Sequence, residues 1–188
     1  MISRSQIAFV RSLKDRNVRS GSGLFLAEGV KLVSDLLTAG LEAVNVYSLP
    51  DYASAFRYHA GMEEISAAQM ERITALKSPS PVMGIFRIPK PLPLHNIDFS
   101  KEWALFADGI ADPGNFGTLI RTADWFGIRH CLCTPNGVDA FNPKSVQASM
   151  GSVSRVSIQA VDPVAFFNGL PPGILILGTD MTGHNIYS

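Results

Sequence analysis

The chain has 188 residues, 46% of them hydrophobic, which is enough for one large or two small packed units and too apolar for a disordered segment. Lysine plus arginine and aspartate plus glutamate number 16 each, so net charge alone points to no nucleic-acid partner, and any such partner must be read from local clustering. No run approaches the roughly 20 apolar residues of a membrane span and no apolar leader opens the chain, so a soluble, non-secreted, cytoplasmic protein is expected.

Residues 1–20 hold Arg4, Arg11, Lys14, Arg16 and Arg19 against Asp15 alone, a basic helix and loop that is either solvated or RNA-facing. Leu24–Ala27 reads as a strand and Val30–Ala39 as a helix with Leu32, Val33, Leu36 and Leu37 on one face. Ala43–Leu49 reads as a second strand. The capping box Ser66-Ala-Ala-Gln69 opens a helix through Ile73, and Val82–Ile88 closes a small α/β unit of about 90 residues. Pro89, Pro91 and Pro93 stand at alternate positions in Ile88–Ile97, which forbids helix and makes a stiff connector. The expected domains are therefore 1–88, a linker at 89–98, and 99–188.

Beyond the linker the spacing predicts strand Trp103–Ala107, helix Thr118–Phe126 ended by Gly127, and strand His130–Thr134. Cys131 and Cys133, the only cysteines, point to one face of that strand and read as reduced thiols. With His59, His95, His130 and His184 scattered, no metal is expected. Asn142-Pro143 supplies an N-cap and a proline at the first helical position, opening a helix to about Met150. Strand Val153–Ile158, a short helix at Pro163–Asn168 and strand Gly173–Leu177 complete an alternation that argues for a parallel sheet covered on both faces. Only the ten residues Thr179–Ser188 follow Gly178, and the chain is expected to stop inside a domain.

Ligands of open parallel sheets bind at the carboxyl ends of strands, which directs attention to Asp108-Gly-Ile-Ala-Asp112-Pro113-Gly114-Asn115-Phe116-Gly117 and the helix bearing Arg121. A tight backbone path, the Asn115 amide and a guanidinium reaching back over the helix N-terminus make a phosphate site. An ordinary β–α turn with Arg121 pairing Asp124 or Asp108 fits the same residues. Neither G-x-G-x-x-G nor a Walker-type loop occurs, so nicotinamide and nucleoside-triphosphate readings lose ground. In the second segment, Lys144 opposes the helix dipole and calls for a phosphate, while Ser145, Ser149 and Gly151 equally suit a small-residue packing face.

Asp108-x-x-x-Asp112-Pro113-x-Asn115-x-Gly117-x-x-x-Arg121-Thr122-Ala123-x-x-x-Gly127 closely resembles the first signature motif of the SpoU (TrmH) family of RNA methyltransferases. Asn142-Pro143-Lys144-x-Val146-x-Ala148-Ser149-x-Gly151 resembles its N-P-K-x-x-x-A-S-x-G segment, and Phe25-Leu-Ala-Glu28-Gly29 its RNA substrate-binding module. The resemblance implies an α/β chain with a small substrate-binding domain and a parallel-sheet catalytic domain of the SPOUT knotted fold, dimeric in the full-length parent. Family members carry a G-x-E-G loop and an S-L-N segment after the position at which this chain ends, so the knot-forming part and most of the cofactor site are expected to be absent and residues 1–188 alone inactive. The implied reaction is transfer of a methyl group from S-adenosylmethionine to a ribose 2′-hydroxyl, in ribosomal RNA first and transfer RNA second. Arg121 and Asn115 are the implied catalytic residues, and Arg16, Arg19, Glu28, Lys144 and Ser149 the RNA contacts. Gly178 and Thr179 are an implied partial cofactor site, the remainder of which is expected beyond Ser188. A guanidinium is too weak an acid to serve as an unassisted base, so a phosphate-held Arg121 orienting the ribose is the easier reading. The alternatives are a non-catalytic RNA-binding paralogue and an α/β enzyme acting on a phosphorylated small molecule.

Overall fold

The computed structural model describes residues 2–59 and 61–179. Its first half runs α1 (Arg4–Ser12), α2 (Arg16–Ser22), β1 (Leu24–Glu28), α3 (Val30–Thr38), β2 (Ala43–Ser48), α4 (Pro50–Ala53), β3 (Met62–Glu64), α5 (Ala67–Ile73) and β4 (Val82–Arg87). The sheet order is β1-β4-β2-β3, with β4 antiparallel to both β1 and β2 and β3 parallel to β2. Alternation along each strand divides its side chains between two faces. Leu24, Leu26, Tyr47, Met83 and Ile85 pack with Ile7 and Val10 of α1 and with Met70 and Ile73 of α5. Phe25, Ala27, Val46, Val82 and Phe86 pack instead with Leu32, Val33 and Leu36 of α3. The Ser66 capping box forms both of its hydrogen bonds. Ser3 and Gln6 build a second one that opens α1, which the sequence marks only as a basic segment.

The second half runs β5 (Ala104–Ala107), α6 (Pro113–Trp125), β6 (His130–Cys133), α7 (Pro143–Ser149), β7 (Ser157–Ala160) and α8 (Pro163–Asn168). The strands form a parallel sheet in the order β5-β6-β7. On one face Ala107 and Cys131 pack with Phe116 and Ile120 of α6 and Val146 of α7. On the other, Phe106 stacks on Phe166 and meets Phe167 of α8 at a tilt, with ring centroids 5.7 and 4.8 Å away. The parallel sheet covered on both faces is therefore present. Burial pushes the Cys131 thiol up to about 12, with the neighbouring Cys133 adding to the shift, which leaves it inert as a nucleophile. Among the described residues, no helix is long and apolar enough to cross a membrane.

Three expectations are corrected. α6 begins at Pro113, five residues earlier than predicted, because the Asp112 side chain accepts from the Asn115 N–H and caps it. The strand predicted at Val153–Ile158 starts only at Ser157, since Gly151, with φ at 89°, leads into a 3-10 turn over Ser152–Ser154 that buries Val153. Gly173–Leu177 forms no ladder among the described residues: it lines a cavity at the free edge of β5 without hydrogen-bonding to that strand, and Leu175, Ile176 and Leu177 are exposed.

The two sheets do not stand apart on the Pro-rich connector. The α3 face of the first sheet and the α6–α7 face of the second form one apolar core, in which the Phe25 and Phe141 ring centroids lie 5.0 Å apart. α6 and α7 approach so closely that a Cβ on Gly117 would lie 2.3 Å from the Ser145 carbonyl oxygen and 2.7 Å from the Ala148 methyl. Neither neighbour is the end of a flexible side chain, so the helices themselves must shift. Gly117→Ala is expected to cost about 1–3 kcal/mol and to lower the midpoint of thermal unfolding by several degrees; an unchanged melting curve would contradict this packing.

Candidate functional site at the carboxyl ends of the parallel sheet

Two loops leave the carboxyl ends of β5 and β6, and they are tied to each other. The Gly109 N–H donates to Thr134 Oγ1 at 2.9 Å, and the Val138 N–H donates to the Ile110 carbonyl at 2.9 Å. Asp112 then caps α6, whose first helical residue is proline. Asn142 does the same for α7, its side chain accepting from the Lys144 N–H at 2.9 Å.

The early start of α6 changes the expected site. Arg121 lies eight residues past Pro113, about 12 Å along the axis, and not one turn in. Its guanidinium does not reach back over the helix N-terminus, and that terminus is filled by the Asp112 carboxylate. The small phosphate site expected there is not formed. Asn115 and Arg121 instead share the exposed outer face of α6 with Thr118 and Thr122, roughly 120° apart around the axis at 3.6 residues per turn. The pairing of Arg121 with Asp124 is absent too: Asp124 accepts from Arg155 Nε at 2.8 Å and from Ser152 Oγ at 2.7 Å. Among the described residues Arg121 makes no hydrogen bond or ion pair.

Of the expected RNA contacts, Lys144 and Arg16 are exposed, whereas Arg19, Glu28 and Ser149 are buried. Arg19, 1% exposed, is ion-paired with Asp139 and donates to two carbonyls. The Glu28 carboxylate accepts from Thr74 Oγ1 and the Ala75 N–H, both at 2.6 Å, and so shapes the turn after α5. Ser149 donates to the Val146 carbonyl inside the α7 packing face. These three are corrections: a side chain with its polar atoms satisfied internally and no exposed surface has nothing to offer an RNA.

Gly178 and Thr179 lie in the unpaired segment after α8. They line a cavity of about 1060 Å³ with Phe106, Asp108, Ile110 and Leu119 at the edge of β5. The remainder of the cofactor site is expected beyond Ser188, and Ser188, like His184, lies outside the described residues. Sequence reading misses Thr134 and Asp139, which lie in an unremarkable turn and whose roles depend on partners far along the chain.

Against this geometry, residues 102–188 match the SpoU rRNA methylase family and residues 4–84 match the MRM3-like substrate binding domain. A solved TrmH-family structure from Porphyromonas gingivalis is 34% identical, with a TM-score of 0.74, and is matched over 89% of this chain and 68% of its own. The chain belongs to the SpoU (TrmH) family. Two other SpoU-family similarities bear on function. The AdoMet-bound rRNA methyltransferase from Sinorhizobium meliloti is 30% identical with a TM-score of 0.77, covering 89% of this chain and 66% of that one. Mitochondrial rRNA methyltransferase 3 from Mus musculus is 30% identical over 185 residues, 92% of this chain and 44% of its own length. The chain thus spans less than half of that curated relative.

Asp124 joins the end of α6 to the turn at Ser152. Burial acts to raise its carboxyl, but hydrogen bonds from Arg155 and Ser152, with the Arg155 charge, hold it below the usual carboxylate range. A depressed folded-state value contributes stability that is present above the unfolded value near 4 and lost as pH falls through the folded one. Asp124→Asn is expected to cost about 1 kcal/mol at neutral pH, Arg155 being half-exposed. The gap to the parent protein should close below about pH 4; a gap that persists in acid unfolding curves would exclude this role.

Proposed function

We propose that this SpoU-family chain forms the RNA-binding and ribose-positioning part of an S-adenosylmethionine-dependent RNA 2′-O-methyltransferase. Its substrate is ribosomal RNA, the substrate class in the names of the mouse and Sinorhizobium proteins. The observation that carries the reading is the exposed Asn115/Arg121 face of α6, the helix that follows the β5 carboxyl-end loop, in a chain matching both family modules. A small phosphorylated substrate is disfavoured, because Asp112 takes the helix N-terminus at which it would bind.

S-adenosylmethionine would supply an electrophilic methyl group on a sulfonium centre. The described residues fit one wall of a site for it: the cavity at the β5 edge is large enough, apolar along Phe106, Ile110 and Leu119, and bounded by main chain at Gly178 and Thr179. Arg121 binds an RNA phosphate through its planar fork and holds the neighbouring ribose in place. It also stabilises charge developing on the 2′-oxygen as the hydroxyl proton passes to solvent water, a task that needs no deprotonation of the guanidinium. Asn115 offers both a donor and an acceptor to the sugar hydroxyls. Lys144 adds positive charge toward the phosphate backbone, whereas Arg16, though exposed, is committed to the Gly137 and Pro135 carbonyls.

The same reading includes a homodimer, a second copy covering the C-terminal end of α6, where Trp125 and Phe126 are 85% and 73% exposed, side chains seldom left in water as neighbours, and leaving Asn115 and Arg121 to the RNA. Two free thiols suit a reducing compartment such as the cytoplasm. The test is a map of 2′-O-methyl positions in total RNA from cells with and without the gene. One ribosomal position should depend on the gene, and the Arg121→Ala version should fail to restore it, with Arg121→Lys restoring it poorly. Full restoration by Arg121→Ala would remove Arg121 from the mechanism. A protein that binds RNA yet adds no methyl group anywhere would support the non-catalytic reading instead.

A further inference from the structure

Arg19 belongs by sequence to a basic surface segment, and its placement says something different. It sits in α2, with Nη1 donating to the Leu13 and Lys14 carbonyls at 2.9 and 2.8 Å. Nε and Nη2 engage one oxygen of Asp139, at 2.8 and 2.7 Å, across 120 positions of sequence. The other Asp139 oxygen accepts from the Phe141 N–H at 2.9 Å, and its carbonyl accepts from Ser145 Oγ at 3.1 Å. One turn away in α2, Arg16 donates to the Gly137 and Pro135 carbonyls at 3.0 and 3.1 Å. The loop between β6 and α7 is therefore gripped from the N-terminal module by two arginines.

That loop is the same one that holds the β5–α6 loop, through Thr134 Oγ1 and the Val138 N–H. On the other side, Leu13 and Lys14 belong to the α1–α2 turn, from which Lys14 Nζ reaches the Thr74 carbonyl at 2.7 Å, next to the Glu28-bound turn. A continuous line of satisfied polar contacts thus joins the turn after α5 to the start of α6. Burying a charge pair rarely adds net stability compared with apolar side chains, whereas removing one partner is costly because it strands the other. Arginine is required geometrically: its fork serves two carbonyls and a carboxylate at once, which a lysine ammonium on a flexible stem cannot do.

We infer that Arg19, through Asp139, is a positioning residue that sets the N-terminal module in register with the loops around α6, so that RNA held by the module presents its ribose to Arg121. The second half of this statement rests on the function proposed above; the mechanical coupling does not. The test uses the full-length protein, its Arg19→Lys and Asp139→Asn variants, and Arg11→Ala as a surface-charge control. Amide hydrogen exchange is expected to rise in both variants over 108–112 and 134–139 while β2 and β4 keep their protection. Methyl transfer at saturating RNA should fall by about tenfold or more, the scale of a misplaced reacting group. The slope of log affinity against log salt should stay unchanged, because no phosphate contact is removed.

A rise in exchange confined to 134–139, protection lost uniformly across the chain in the mild Arg19→Lys variant, or no rise at 108–112 overturns the coupling. A salt slope lowered by about one would instead mean that Arg19 touches phosphate and would also overturn it. If the parent protein neither binds RNA nor transfers methyl groups, the functional reading fails, and the exchange result still decides the coupling.

Discussion

Phe25 on the first strand and Phe141 just ahead of α7 meet in the middle of the molecule, and most of the architecture follows from the apolar core they share. Each buried aromatic contributes on the order of 1.5–3 kcal/mol from removal of its surface from water, with a further increment for the ring pair. A Pro-rich connector alone would let two small α/β units turn independently. The shared core removes that freedom, and the Arg16 and Arg19 contacts convert a non-directional apolar association into a fixed register. Hydrophobic burial supplies the affinity between the halves, and hydrogen-bond geometry supplies the angle.

The same constraint explains why α6 is built as it is. Its inner face must lie close against α7, and Gly117 with Ala148 and Ser145 provides the closeness. Its start is fixed by Asp112 and its end by the Asp124 contacts to Ser152 and Arg155. Once both ends and the inner face are committed, the outward residues Asn115, Thr118, Arg121 and Thr122 have no structural alternative. A helix held this firmly is a suitable carrier for groups that must meet a flexible substrate, since the protein then orders nothing further on binding.

Much of this is legible in sequence because local signals and the fold agree. Asn142-Pro143 reads as a capped helix start and is one. Asp112-Pro113 carries the same signal, but Gly114 and Gly117 make the stretch look like a loop. Glycine costs a helix about 1 kcal/mol each, and close packing on α7 outweighs that cost, a tertiary effect no local pattern records. The apolar residues Val153, Val156 and Ile158 resemble a strand, yet the left-handed backbone at Gly151 places the first of them in a 3-10 turn. Gly173–Leu177 has strand composition, yet a cavity separates it from the free edge of β5, and composition alone does not close a ladder. Family resemblance points to the motifs as whole segments. It does not separate the residues that fold them from the residues that face outward, because a matched string carries no burial.

Arg19 and Arg121 make that separation concrete. Both are arginines on helical segments, both read as RNA-facing in sequence, and formal charge treats them alike. Arg19 has its donors engaged by Asp139 and by the Leu13 and Lys14 carbonyls, so bringing a phosphate to it would require breaking those bonds and opening a buried site. Arg121 makes no such commitment among the described residues, and its guanidinium meets a phosphate at the cost of displacing water and fixing its own rotamers, with no protein contact to break. Charge says where an RNA is attracted; the state of satisfaction of each donor says which arginine can receive it. By that criterion Arg121 belongs to the substrate and Arg19 to the frame that aims it.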